Sequence, residues 1–163
     1  MKIRDFAPVK VVVGHPDQPL AEAARAMCNQ SIGVLVIVDP TDPKNRPVGI
    51  LTDRDVVRGQ LIKAADLHCL LVREVMTPNP LALAGNLELF EAIEALNSRG
   101  VRRAPIVDGA GSLVGVISVD DLVPAVANEL QSLANLLDLR PSLRPGPGAR
   151  TRRPEHSAWS PSD

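Results

Sequence analysis

The sequence predicts an α+β fold made of two similar β-α-β-β-α halves packed about a pseudo-two-fold axis, and three observations predict it. The first is a repeated phrase: Gly49-Ile50-Leu51-Thr52-Asp53-Arg54-Asp55 returns as Gly115-Val116-Ile117-Ser118-Val119-Asp120-Asp121, each reading glycine, apolar pair, hydroxyl, two variable residues, aspartate. The second is a shared helical stripe upstream, in which Leu20, Ala23, Ala24 and Met27 match Leu89, Ala92, Ile93 and Leu96 at an offset of 69 residues (20 to 89). The offset drops to 66 at the phrase itself (49 to 115), because Thr41-Asp42-Pro43-Lys44-Asn45-Arg46-Pro47 lengthens the first copy. The third is composition: a 45% hydrophobic chain with 2% aromatic residues must build its interior from Val, Ile, Leu and Ala. An internal repeat fixes architecture before any other feature, and here it places one chemical constellation twice.

Each element follows from local pattern. Residues 20–30 carry apolar positions at helical spacing, and residues 87–99 duplicate them. Val34-Leu35-Val36-Ile37-Val38 is a β-branched run suited to a strand buried on both faces. Its counterpart is Ala104-Pro105-Ile106-Val107, where Pro105 belongs near a strand start or edge. Asp108-Gly109-Ala110-Gly111 is a tight turn leading to the strand Leu113–Ile117. A closing helix starts at Thr52 and ends near Gly59 or soon after; its equivalent starts at Ser118, with a kink or restart expected at Pro124. Beyond that proline, Val126, Leu130, Leu133, Ala134 and Leu137 continue an apolar stripe to about Leu139.

A single repeat of this size buries too little surface to be stable alone, so two repeats are expected to pack on each other with clefts between them. The resulting boundaries are a first repeat over 1–62, a connector over 63–73, a second repeat with an extended C-terminal helix over 74–139, and a tail over 140–163. Rich in Pro, Gly, Arg and Ser, the tail is expected to be disordered.

The repeated phrase supports two readings. Thr52 with Asp55, and Ser118 with Asp121, have the form of a helix capping box, worth about 1 kcal/mol per cap. The same geometry also suits a ligand. A helix start after a strand offers free N–H groups and partial positive charge to an anion. The hydroxyl can donate to a phosphate, and the carboxylate can accept from the cis-diol of a ribose. Gly49 and Gly115 would let a base or backbone come close to the strand.

Embedded twice in β-α-β-β-α surroundings, the phrase resembles that of a tandem cystathionine-β-synthase (CBS) domain pair, or Bateman module, over roughly residues 3–139. Val75-Met76-Thr77-Pro78 also resembles the segment that opens many such repeats. The resemblance implies a regulatory module holding an adenosine-containing ligand in its inter-repeat clefts. It implies that Thr52 and Ser118 contact phosphate or ribose and that Asp55 and Asp121 hold ribose hydroxyls. It adds Arg54, Thr77 and Ala82 as ligand-binding candidates. The basic residue and proline found before the second strand in many family members match Arg102-Arg103-Ala104-Pro105. The first repeat has Gly33-Val34-Leu35-Val36 there, so Arg102, Arg103 and Pro105 have no counterpart and the clefts are expected to be unequal. AMP, ADP and ATP are the regulatory ligands the resemblance favours; S-adenosylmethionine and dinucleotides stay open.

Other chemistries find little support. Cys28 and Cys69 lack CxxC spacing, and His15, His68 and His156 are scattered, so neither a metal site nor a disulfide framework is expected. No phosphate loop, dinucleotide fingerprint or nucleophile elbow occurs, and no catalytic role or required cofactor is expected. No apolar run approaches the roughly 20 residues that span a bilayer, and the N-terminus lacks a secretory signal pattern; the expectation is a cytoplasmic protein. A net charge of −1 provides no field that draws the chain to DNA or membrane. With no output domain in the chain, the expected partners are a second copy and an unidentified protein target. Two rivals remain: a dimeric scaffold in which the phrase only caps helices, and weak nucleic-acid binding by the tail's Arg140, Arg144, Arg150, Arg152 and Arg153.

Overall fold

The computed structural model, which describes residues 1–5, 11–64 and 66–136, carries the duplication down to its hydrogen-bond register. The first half comprises β1 (Val13–Gly14), α1 (Leu20–Gln30), β2 (Val34–Val38), β3 (Pro47–Thr52) and α2 (Asp53–Lys63). After β4 (Thr77–Pro78), the second comprises β5 (Leu83–Ala84), α3 (Leu89–Ser98), β6 (Arg103–Val107), β7 (Leu113–Ser118) and α4 (Val119–Leu136). The hairpin β2–β3 pairs Val34 with Thr52 and Ile37 with Gly49, and β6–β7 pairs Arg103 with Ser118 and Ile106 with Gly115. Both hairpins shift register at the same step, after Ile37 and after Ile106. The three extra residues of the first copy are absorbed in its loop, where Asp39 and Asp42 cap turns through Thr41 and Lys44.

Each sheet covers one core. Leu20, Ala23, Met27, Leu35, Ile37 and Leu51 fill the first, and Leu89, Ala92, Leu96, Ala104, Ile106 and Ile117 fill the second. The chain then crosses between them. Ile3, in the 3-10 turn that opens the first repeat, is fully buried in the second core, and Val72, in the 3-10 turn that opens the second repeat, is fully buried in the first. Likewise β4 adds to the first sheet, pairing Thr77 with Ile50 and Pro78 with Gly49. Glu74 locks this crossing: its carboxylate accepts from Leu71 N at 2.8 Å and Lys63 Nζ at 3.0 Å. Those bonds hold its carboxyl below the usual carboxylate range, the Leu71 N–H having the larger influence.

Two glycines seat the crossing segment. A Cβ on Gly59 would lie 2.6 Å from Val75 Cγ1, and one on Gly49 would collide with Met76 Sδ. Gly59 therefore sits buried in mid-helix, and α2 runs past it to Lys63, where Ala64 takes a left-handed cap conformation with φ 48°. Gly49 makes room for Met76 rather than for a ligand. We expect Gly59→Ala to destabilise the protein by about 1–3 kcal/mol through overpacking. In an unhindered helix the same change would gain about 1 kcal/mol. Urea denaturation gives the sign directly.

Three further expectations are refined. Pro124 neither breaks nor restarts α4, which is continuous over Val119–Leu136. The carbonyl it cannot serve belongs to Asp120, which is exposed like Pro124 itself, so solvent reaches that carbonyl. Pro105 is the middle residue of β6, but β5 borders that strand only from Ile106 onward, leaving proline on a stretch with one strand neighbour. His15 is half-buried, with Nδ1 3.2 Å from the Val38 carbonyl oxygen. Leu137, Leu139 and the tail 140–163 lie outside the described residues, as does His156.

Candidate functional site

Both signature phrases form the same cap. Thr52 ends β3 and precedes α2, and Ser118 ends β7 and precedes α4. The Thr52 hydroxyl accepts from Asp55 N at 3.2 Å and donates to Asp55 Oδ2 at 2.7 Å, while Thr52 N donates to the same oxygen at 3.0 Å. Ser118 and Asp121 repeat this with distances of 3.3, 2.6 and 2.8 Å. The capping box is complete in both copies, and it commits the hydroxyl proton to the carboxylate. A ligand phosphate is therefore better served by backbone N–H groups or a cation than by Thr52 or Ser118. The cap consumes only Oδ2. Among the described residues, Oδ1 of Asp55 and of Asp121 accepts no hydrogen bond and stays available to an external hydroxyl.

Beside the second cap lies a cleft of about 230 Å³ built from both repeats. Val11, Val12, Ile32, Gly33 and Val34 come from the first repeat; Arg103, Val116, Ser118 and Asp121 come from the second. The strands make this arrangement. Arg103 starts β6 opposite Ser118, so the arginine and the cap emerge side by side at one end of the hairpin. From there the guanidinium reaches across to the first repeat, where Nη1 lies 3.5 Å from the Gly33 carbonyl oxygen. Among the described residues the cleft thus has apolar walls, one cation, one carboxylate with a free oxygen and the N-terminus of an 18-residue helix.

The remaining candidates lie apart from this cleft. Arg102 lies in the bend just before β6, its Nη2 3.7 Å from Asp120 Oδ1, and borders a groove of about 540 Å³ between α3 and α4. Pro105 is buried in the sheet. Arg54 is exposed in the first turn of α2, Thr77 is exposed on β4, and Ala82 is exposed just before β5. A shallower depression of about 810 Å³ between α1 and α2 holds Cys28 and His68. Neither helical groove contains the hydroxyl or the final aspartate of a signature phrase, so size alone does not select the site. Among the described residues, no three His, Cys, Asp or Glu side chains gather as a metal centre, and no helix is long and apolar enough to cross a membrane. Sequence reasoning missed Val11, Val12, Ile32 and Val116 as cleft walls. The available signal was the pseudo-symmetry itself, which turns the second signature phrase toward the strand entry of the first repeat.

Comparison with known proteins identifies the family. The model of the CBS domain matches residues 3–61 and 72–128. The CBS domain-containing protein YhcV of Bacillus subtilis is 30% identical over 128 residues, covering 78% of this chain and 87% of that protein. An uncharacterized protein of Methanopyrus kandleri is 29% identical over 123 residues, a stretch that covers 76% of this chain but only 61% of that protein. Among solved structures, the CBS domain pair of protein MJ0100, in complex with 5'-methylthioadenosine and S-adenosyl-L-methionine, superposes with a TM-score of 0.67. It is 21% identical and the match covers 77% of this chain and 99% of that one, a likeness of fold. With both repeats matched and the duplicated caps in register, the chain belongs to the CBS-domain family and carries two CBS domains in tandem.

Proposed function

We propose that the chain is a non-catalytic sensor that binds an adenosine-containing ligand, with AMP, ADP or ATP favoured, in the cleft at Ser118 and Asp121. The observation that carries this reading is the composition of that cleft. Its valine and isoleucine walls suit the faces of a purine, the free Oδ1 of Asp121 suits a ribose hydroxyl, and Arg103 suits a phosphate. At about 230 Å³, the cleft falls just below the roughly 300–1,000 Å³ typical of small-molecule sites. That size fits one nucleoside whose phosphates extend toward Arg103. The two ligands of the MJ0100 pair share an adenosine, in keeping with this choice. Occupancy would tighten the two repeats on each other, and a partner protein would read that change. Mass spectrometry of denatured, freshly purified protein, then calorimetry with AMP, ADP, ATP and S-adenosylmethionine, tests the proposal; absence of binding by all four would refute it. We also expect Arg103→Ala to weaken ATP far more than adenosine, and equal losses would mean that Arg103 does not reach phosphate.

The module is proposed to work as a homodimer in the cytoplasm. On α4, Val123, Leu130 and Leu133 are exposed at helical spacing, and exposed apolar residues on one face of this kind mark an interface. A closed two-fold pair is the commonest way to cover it. Leu130→Glu combined with Leu133→Glu should give a folded monomer by light scattering and circular dichroism. Loss of folding would instead place these leucines in a core.

A further inference from the structure

The two helical grooves are symmetry mates with different linings. Cys28 and Gln60 in the first stand at the positions of Asn97 and Val126 in the second. The groove between α1 and α2 is polar, with Arg25, Asn29, Asp66 and His68 on its walls, and Leu67 of the connector packs against the core beneath it. The groove between α3 and α4 is apolar. Ile93, Leu96, Val101, Leu122, Val123 and Val126 line it, and its walls come only from those two helices and the segment 100–102. The charges differ as well. Glu91 and Glu94 lie on α3, and Asp120, Asp121 and Glu129 lie on α4, with no Lys or Arg on either helix. Arg25, Arg54, Arg58 and Lys63 lie on α1 and α2. An open apolar groove marks a docking site, and between acidic helices it suits a large apolar side chain flanked by cations.

One segment of the chain has that composition. Residues 140–163 hold Arg140, Arg144, Arg150, Arg152 and Arg153 against Glu155 and Asp163, and they hold Trp159, the only tryptophan of the chain. The reach is sufficient. Val126 lies ten residues before Leu136 on α4, about 15 Å along a helix. Trp159 follows Leu136 by 23 residues, and a chain of that length averages roughly 26 Å between its ends. We propose that Trp159 docks in cis in the groove between α3 and α4, with the tail's arginines facing the carboxylates of the two helices. The indole covers Val101 and Val123, which are 37% and 61% exposed without it. Asn97 on the groove wall offers an amide oxygen to the indole N–H, and Arg102 at the rim stacks on the ring. Leu130 and Leu133, further along α4, lie outside the groove and stay free for a second copy. Val119 and Leu122 on the groove wall share the first turn of α4 with Asp121, so the docked tail bears on the turn that borders the cleft.

Because Trp159 is the only tryptophan, its fluorescence reads the docking in the full chain without a label. Emission should lie to the blue of that from a synthetic peptide of residues 140–163, and acrylamide should quench it several-fold less. Val101→Lys puts a charge in the groove at a side chain that is not part of the second core. It should return emission and quenching to the peptide's values while circular dichroism and the thermal melt stay native. Val114→Lys, exposed on β7 outside the groove, should change neither. Arg152→Glu combined with Arg153→Glu reverses charge in the tail alone and should shift emission toward that of the peptide. Peptide-like emission in the unsubstituted chain would overturn the proposal. So would blue emission that persists in folded Val101→Lys or in the arginine double variant. Blue emission lost on dilution from micromolar to nanomolar protein would place Trp159 on a second copy and overturn docking in cis.

Discussion

Replacing Ile3 with alanine is expected to lower the unfolding free energy by about 2–5 kcal/mol, the usual cost of emptying a fully buried isoleucine site. The loss should fall on the second repeat, although Ile3 belongs to the first. Its side chain is 0% exposed and packs with Leu83, Leu89, Leu96 and Ile106, and its N–H donates to the Leu87 carbonyl at 3.0 Å. Native-state hydrogen exchange resolves where stability is lost. Amides of β6 and β7 should exchange faster in Ile3→Ala, while Val72→Ala should loosen β2 and β3. The opposite pattern would mean that each opening turn serves its own repeat. Because each core holds a residue from the other repeat's opening turn, we expect the repeats to fold together rather than as independent units.

Asp121→Asn is expected to weaken binding of an adenosine ligand by about 1.5–3 kcal/mol, the value of a charge-assisted hydrogen bond, while leaving the cap largely formed. The asparagine oxygen can occupy the Oδ2 position and accept from Ser118 N and Oγ, at 2.8 and 2.6 Å in the native cap. An NH2 group then stands where the free Oδ1 stood, and it cannot accept from a ribose hydroxyl. Ser118→Ala has the converse profile. It removes a cap worth about 0.5–2 kcal/mol of stability and keeps the carboxylate, so the melting temperature should fall more than the affinity. Calorimetry and thermal melts on the two variants separate the roles. If Asp121→Asn binds normally, Asp121 is a capping residue and does not hold the ribose.

The duplicated phrase and its helical stripe were enough to place most elements, because both rest on short-range periodicity. The stripes at Leu20–Met27 and Leu89–Leu96 became the inner faces of α1 and α3, and the apolar run Val34–Val38 became β2 with matching bounds. What escaped was long-range. Ile3-Arg4-Asp5 and Val72-Arg73-Glu74 stand at the same offset of 69 residues (3 to 72) as the helical stripes, yet nothing local says that each turn packs on the other core. Gly59 reads as a helix terminator until Val75 is seen against it. The cap residues were legible as a constellation, but their internal bonds, which occupy one carboxylate oxygen and the hydroxyl proton, follow only from coordinates. Arg102 and Arg103 are indistinguishable in sequence. Only Arg103 is in β6, paired with Ser118 beside the cleft, whereas Arg102 lies in the bend before the strand and reaches Asp120.

The central claim is that an adenosine-containing ligand occupies the cleft between the repeats at the second cap. Titrating labelled protein with ATP and following backbone amide resonances tests it most directly. The account predicts saturable shifts centred on Gly33, Val34, Ser118 and Asp121, with smaller changes along α1 and α3. Shifts confined to the groove between α3 and α4, or none at millimolar ATP, would contradict it.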